Sequence, residues 1–188
     1  MSFDLGESIG NELQLDEEQR ELIRRLIPIR TFPKGASIME SKHETIQGFF
    51  VLKGLVRLYR NVDGEERNIQ FYLDGDSIAE SLEDSPDRGL QCLEESSLAV
   101  LTAEAETELF DAIEGFESLC RCSMEDDFQS LRKQFESLLS KTPQERYEDL
   151  MKNRPELLQR IPQYHLASYL GVKPESLSRI RRRMTQGD

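Results

Sequence analysis

The chain divides by apolar period into three stretches. "LDEEQRELIRRLI" (Leu15–Ile27) has apolar residues at helical spacing and predicts a short helix. From Ile29 to Thr102 the pattern becomes that of strands. "ASIME", "IQGFFVLKGLVRLYRN" and "RNIQFYL" are rich in branched and aromatic residues, with turn signals between them. Lys53-Gly54 parts two apolar runs, "NVDGEE" (Asn61–Glu66) holds an Asp-Gly hairpin signal, and "LDGDSI" supplies another Gly-centred turn. "LQCLEESSLAVLT" adds two more short strands. About seven or eight strands in this stretch predict a sandwich or jelly roll.

At Ala103 the period lengthens. Phe116, Cys120, Met124, Phe128, Leu131, Phe135 and Leu138 recur at steps of four and three, an apolar stripe on a long helix. Such a stripe can lie on its own barrel or form a dimer seam. Spacing near 3.5 keeps one face toward a partner, and one small domain cannot cover so long a helix, which favours the seam. The predicted dimerisation residues are Phe116, Met124, Phe128, Leu131, Phe135 and Leu138. "TPQE" (Thr142–Glu145) restarts a helix: Thr142 caps it, Pro143 suits its first turn and Glu145 completes a capping box. Pro155 and Pro162 open further helices, so the region after Lys141 reads as a small all-helical unit.

Within that unit lies "YHLASYLGVKPESLSRIRRRM" (Tyr164–Met184). With Gly171 as the turn glycine of a helix-turn-helix, Leu166, Leu170, Val172, Leu177 and Ile180 fill the apolar positions and Ala167 the small one. Ala lets the helices approach, Gly permits a left-handed turn and the apolar set forms their shared core. Pro174 then starts the second helix. Glu175, Ser176 and Arg179 sit on its outward face, near the end that enters the major groove, and Lys173 just before it is a further DNA-binding candidate. Arg179 is suited to guanine and Glu175 to the cytosine amino group. Arg181, Arg182 and Arg183 suit phosphates.

Charge sharpens this contrast. The 188 residues carry a net −12, which argues against indiscriminate nucleic-acid or membrane binding by the whole surface. Yet from Leu158 to Met184 six cations face Glu175 alone, leaving that segment +5 and the rest of the chain −17. Three cysteines, Cys92, Cys120 and Cys122, are too few and too badly spaced for a zinc or iron–sulfur site and fit a reduced cytoplasm. No apolar run is long enough to span a bilayer. His43 and His165 are the only histidines and lie in different regions, so neither a metal centre nor an enzyme is expected. His165, inside the helix-turn-helix, is expected at the surface or facing DNA.

A strand-rich barrel, a long helix and a helix-turn-helix, in that order, resemble the Crp/Fnr family of bacterial transcription regulators. The likeness is carried by "GFFVLKGLVRLYRNVDGEERNIQFYLDGDSIAES" (Gly48–Ser81) and "IPQYHLASYLGVKPESLSRIRRRM" (Ile161–Met184). The second stretch is especially similar to the short members of Bacteroidetes-type bacteria. The resemblance implies an α+β chain: a cyclic-nucleotide-binding-like jelly roll over 1–114, a linker and dimerisation helix over 115–140, and a DNA-binding domain over 141–188. It implies a homodimer on a palindromic site in double-stranded DNA, with RNA polymerase as a further partner. Nucleotide-binding members carry a cassette after the Gly-Asp turn that opens Gly-Glu and closes Arg-Ser/Thr-Ala. Here Gly75-Asp76 and Glu80 match, but Ala79 replaces the Gly, and Arg88 comes early and is followed by Gly89 and Leu90. Glu83, Asp84 and Asp87 crowd the same loop with negative charge, against the needs of a phosphate. Glu80 and Arg88 are therefore the remnants of a degenerate site, and no cofactor, cyclic AMP included, is expected. Only "TQGD" follows Met184, so the family's β wing is expected to be absent, shifting reliance to the basic helix. A ligand-responsive or protein-interaction module with vestigial DNA binding stays open as the alternative.

Overall fold

The computed structural model describes residues 5–38, 45–79 and 87–186. Helices α1 (Leu5–Glu12) and α2 (Glu17–Leu26) precede the strands. Asp16 caps α2 in a reciprocal capping box with Gln19. The strands are β1 (Ile29–Phe32), β2 (Ile46–Lys53), β3 (Val56–Val62), β4 (Glu65–Tyr72), β5 (Ser77–Ile78), β6 (Arg88–Cys92) and β7 (Ser96–Thr102). Helices α3 (Ala103–Ala112), α4 (Phe116–Ser140), α5 (Pro143–Asn153), α6 (Pro155–Arg160), α7 (Gln163–Tyr169) and α8 (Pro174–Gln186) complete the described chain.

The strands form two antiparallel sheets, β1-β7-β2-β5 and β4-β3-β6. The Asp-Gly signal joins β3 to β4, where Asp63 and Gly64 both take positive φ, 54° and 86°. The Lys53-Gly54 turn needs its glycine for two reasons. Gly54 has φ 121°, and a Cβ there would lie 2.2 Å from Ser96 Oγ.

Side-chain alternation along the strands sorts the cores. Phe49, Val51, Val56, Leu58, Tyr72, Leu90, Leu98 and Val100 fill the space between the sheets. The other face of β1-β7-β2-β5 offers Ala99, Phe50 and Leu101 to a helical layer built on Ile23, Leu109, Ile113 and Phe116. A third core forms where Leu55, Phe71, Leu73 and Leu93 of the barrel meet Tyr147, Leu157, Ile161, Leu166, Leu170 and Leu177 of the C-terminal helices. The result is an α+β jelly roll clad by helices on both outer faces.

The period change at Ala103 resolves into two helices, parted at Gly115 with φ 89°. The start of α4 lies against the helical layer, with Leu119 and Cys120 packed beside Phe116. Phe116 is only 2% exposed and packs in its own subunit's helical layer, so its assignment to the seam is corrected.

Candidate nucleic-acid interface

Each end of the helix-turn-helix has a local cause. Pro162 sits at the N-cap of α7, and the helix stops at Leu170 and Gly171, where φ reaches +68°. Gly171 N donates to Ser168 O at 3.0 Å and Val172 N to Ala167 O at 2.9 Å, which closes the turn. Arg146 of α5 steadies it, donating through Nη2 to Leu170 O at 2.7 Å. Thr142 and Glu145 cap α5 reciprocally, and those hydrogen bonds hold the Glu145 carboxyl below its usual range.

The framework is interior at all six positions. Leu166, Ala167, Leu170 and Leu177 are buried, and Val172 and Ile180 pack against them. With that face committed, α8 turns its opposite face to solvent. Lys173, Glu175, Arg179, Arg181, Arg182 and Arg183 are exposed and Ser176 is half-buried. Arg179, Arg182 and Arg183 make no ion pair among the described residues. The helix therefore presents a convex cationic ridge with one acidic side chain near its N-terminus. It can donate several charged hydrogen bonds to phosphate or to guanine.

The long α4 leaves an apolar stripe uncovered. Met124, Phe128, Phe135 and Leu138 are 60, 65, 62 and 47% exposed, and Leu131 is half-buried. Leu139, at 73%, extends the stripe, although it falls outside the four-and-three spacing that marks the others.

The helical unit sits tightly on the barrel, a contact that no motif announces. Helix α7 lies on β4, with the rings of Phe71 and Tyr169 edge to face at 5.2 Å. Asn68 N donates to Ser168 Oγ at 3.0 Å, and Asn68 Nδ2 reaches His165 O at 3.0 Å and His165 Nδ1 at 3.1 Å. Arg57 of β3 lies beneath them. It donates to Asn68 Oδ1 at 3.0 Å and to Gln91 Oε1 at 2.7 and 2.9 Å, pairs with Glu66, and reaches His165 Nδ1 at 3.4 Å. Two donors aimed at Nδ1 assign it as an acceptor, hence a neutral imidazole. His165 is thus buried in a seam, not surface-lying or DNA-facing as its position in the motif suggests. Desolvation, then the Arg57 guanidinium, lowers its pKa to about 4. Two further arginines rivet the edges. Arg154 donates to Asp76 at 2.9 Å, and Arg160 donates to Glu94 at 2.8 and 3.1 Å, Asp74 at 2.9 Å and Gly54 O at 2.8 Å. Arg160, counted in the basic segment, therefore faces the barrel and not DNA.

Of the cassette remnants, Glu80 lies outside the described residues. Arg88 opens β6 opposite Arg60, whose guanidinium holds the Asp87 carboxyl low. Burial pushes the Cys92 thiol up, and likewise that of Cys120, to about 11. Among the described residues no cluster of His, Cys, Asp or Glu is placed to hold a metal, and no helix is long and apolar enough to cross a membrane.

No family model and no curated protein matches the sequence. Solved structures do match. A cyclic nucleotide-binding domain containing protein from Listeria monocytogenes superposes with a TM-score of 0.71 at 16% identity, over 96% of this chain and 90% of the other. FixK2 from Bradyrhizobium japonicum gives 0.69 at 18% identity, over 86% of both chains. A protein from Eubacterium rectale assigned to the transcriptional regulators of the Crp/Fnr family gives 0.68 at 17% identity, over 93% of this chain and 86% of the other. The chain shares their fold from barrel to helix-turn-helix.

Proposed function

We propose that the chain is a sequence-specific DNA-binding transcription regulator of the Crp/Fnr type, acting as a homodimer. The observation that carries this reading is α8, whose apolar face is fully used by the framework while its cations stand in solvent. A buried framework under an exposed basic helix is what major-groove docking requires.

The stripe on α4 supports the dimer. In heptad terms Phe128 and Phe135 take a positions and Met124, Leu131 and Leu138 take d positions. A parallel pairing then sets Asp127, at g, beside the e position of the next heptad on the other copy, which Arg132 occupies. That charge match favours parallel over antiparallel pairing and puts both reading helices at one end. Two such helices about 34 Å apart read a palindrome. The barrel serves as a sensor whose cyclic-nucleotide cassette is degenerate, since a cyclic phosphate needs donors that this loop supplies poorly.

Footprinting on the gene's own upstream region tests the reading. Two protected half-sites one helical turn apart are expected. Arg179→Ala should cost about 1–3 kcal/mol and relax the preference at one base pair per half-site. Arg182→Ala should weaken all sequences alike and lower the salt slope by about one. Absence of binding to any genomic fragment, with Arg179→Ala indistinguishable from the unmutated chain, overturns it.

A further inference from the structure

We propose that Arg57, Asn68 and His165 form a proton-sensitive latch that seats the DNA-reading unit on the barrel and opens when His165 takes up a proton. The latch concerns how the barrel holds the reading unit. Only its effect on DNA output rests on the function proposed above.

The geometry makes the latch. Arg57, Asn68 and His165 are 3, 7 and 6% exposed, and they lie where α7 covers the outer face of β4-β3-β6. Every bond at His165 Nδ1 is a bond received, from Asn68 Nδ2 and from the Arg57 guanidinium. A proton on Nδ1 removes the acceptor, turns both donors toward an N–H and places a second cation against Arg57. The groups facing the imidazole give little relief. Arg57 comes from β3 and is positive, and Gln91 of β6, one shell away, is neutral. Glu66 of β4 is the one anion facing it among the described residues, already paired to Arg57, and Tyr164 of α7 itself lies tilted against the ring at a centroid distance of 4.0 Å. Opening is the way out, because the released histidine regains water.

The sign follows from where the proton goes. The seated imidazole titrates at about 4, below its ordinary 6.5. Between those values the released form binds more protons than the seated one. Seating is at full strength above about pH 6.5 and weakens as pH falls toward 4.

Hydrogen exchange on the full chain reads this without DNA, so a failed footprint leaves it standing and a failed latch leaves the footprint standing. The reporter is the Asn68 amide on edge strand β4, whose N–H is held across the seam by Ser168 Oγ. Between pH 7.5 and 5.5, above the pI of about 4.8, its protection factor should fall about tenfold. Amides of the central strand β3 should hold. In His165→Gln, which offers a carboxamide oxygen as a neutral acceptor but takes up no proton, the Asn68 value should stay flat. An unchanged Asn68 protection factor in the unmutated chain, a fall in step with the β3 amides, or a tenfold fall that survives in His165→Gln overturns the latch. If His165→Gln does not fold, the Asn68-against-β3 comparison in the unmutated chain decides alone.

Discussion

Gly54 and Gly64 are both turn glycines at positive φ, yet their surroundings set very different penalties. At Gly64, φ 86°, nothing lies within 4 Å of an added Cβ, so alanine meets only the backbone penalty of about 1 kcal/mol. At Gly54, φ 121°, the same atom meets Ser96 Oγ at 2.2 Å and Ser96 Cα at 2.7 Å. Ser96 is fully buried, with its hydroxyl donating to Glu94 O and accepting from Leu55 N. It has nowhere to move. Gly54→Ala should therefore cost about 2 kcal/mol or more and lower Tm by roughly 4–8 °C, with Gly64→Ala at about half that, both read by calorimetry. Equal shifts would mean that the Ser96 contact relaxes freely. The same turn also accepts Arg160 at Gly54 O, so strain there should loosen one rivet of the reading unit.

The stripe on α4 is the element with most left undone. Its exposed phenylalanines are costly to leave in water, and in the proposed homodimer a second copy of the helix would cover them. Phe128→Glu sets two carboxylates against each other across that seam. Sedimentation should then show the 21.8 kDa chain alone, with affinity for a palindromic site falling to that of one half-site. A dimer that survives Phe128→Glu places the interface elsewhere. This element also marks how far the sequence could be read. Strands β2, β3, β4, β6 and β7, the hairpin turns and the helix-turn-helix were legible because their signals are local: a period, a glycine, a cap. Strand β1 and the two-residue β5 carry too little period to show, and of "ASIME" the described residues form only an isolated bridge at Ser37. Phe116 keeps the stripe's spacing yet is buried, because the start of α4, with Leu119 and Cys120, lies against the helical layer while Met124 and Phe128 further along the same face do not. The seat of α7 was not legible either. It joins Arg57, Asn68 and His165 across about a hundred residues, and single polar residues on a strand face look the same whether water or a helix lies above them.

At the scale of the molecule, charge and cladding work together. On the proposed function, the −17 carried by the rest of the chain would be repelled by the same phosphates that draw in α8. Poses with the reading helix foremost would then be favoured, which would orient the proposed dimer before any base is read. The helices that carry the reading motif are also the barrel's cover: Leu55, Phe71, Leu73 and Leu93 are buried by residues from Tyr147 onward. A chain ending at Ser140 should keep both sheets but expose those four side chains together. It should bind a hydrophobic dye and aggregate where the full chain does not. A monodisperse, dye-silent barrel would contradict this.

That shared core also has a consequence during synthesis. The barrel leaves the ribosome first and can close its inner core at once, yet its outer sheet stays greasy until the chain has been extended by a further seventy or more residues, from Thr102 to Leu177. At about 5–20 residues per second, that is a window of several seconds in which Phe71 and its neighbours face solvent bare. Nascent copies on one message are close enough to meet in that interval, so the α4 stripe of one chain and the bare sheet of another compete for the same apolar partners. Slow translation after Thr102 should lower the yield of native protein, and a chaperone that shields apolar surface should restore it.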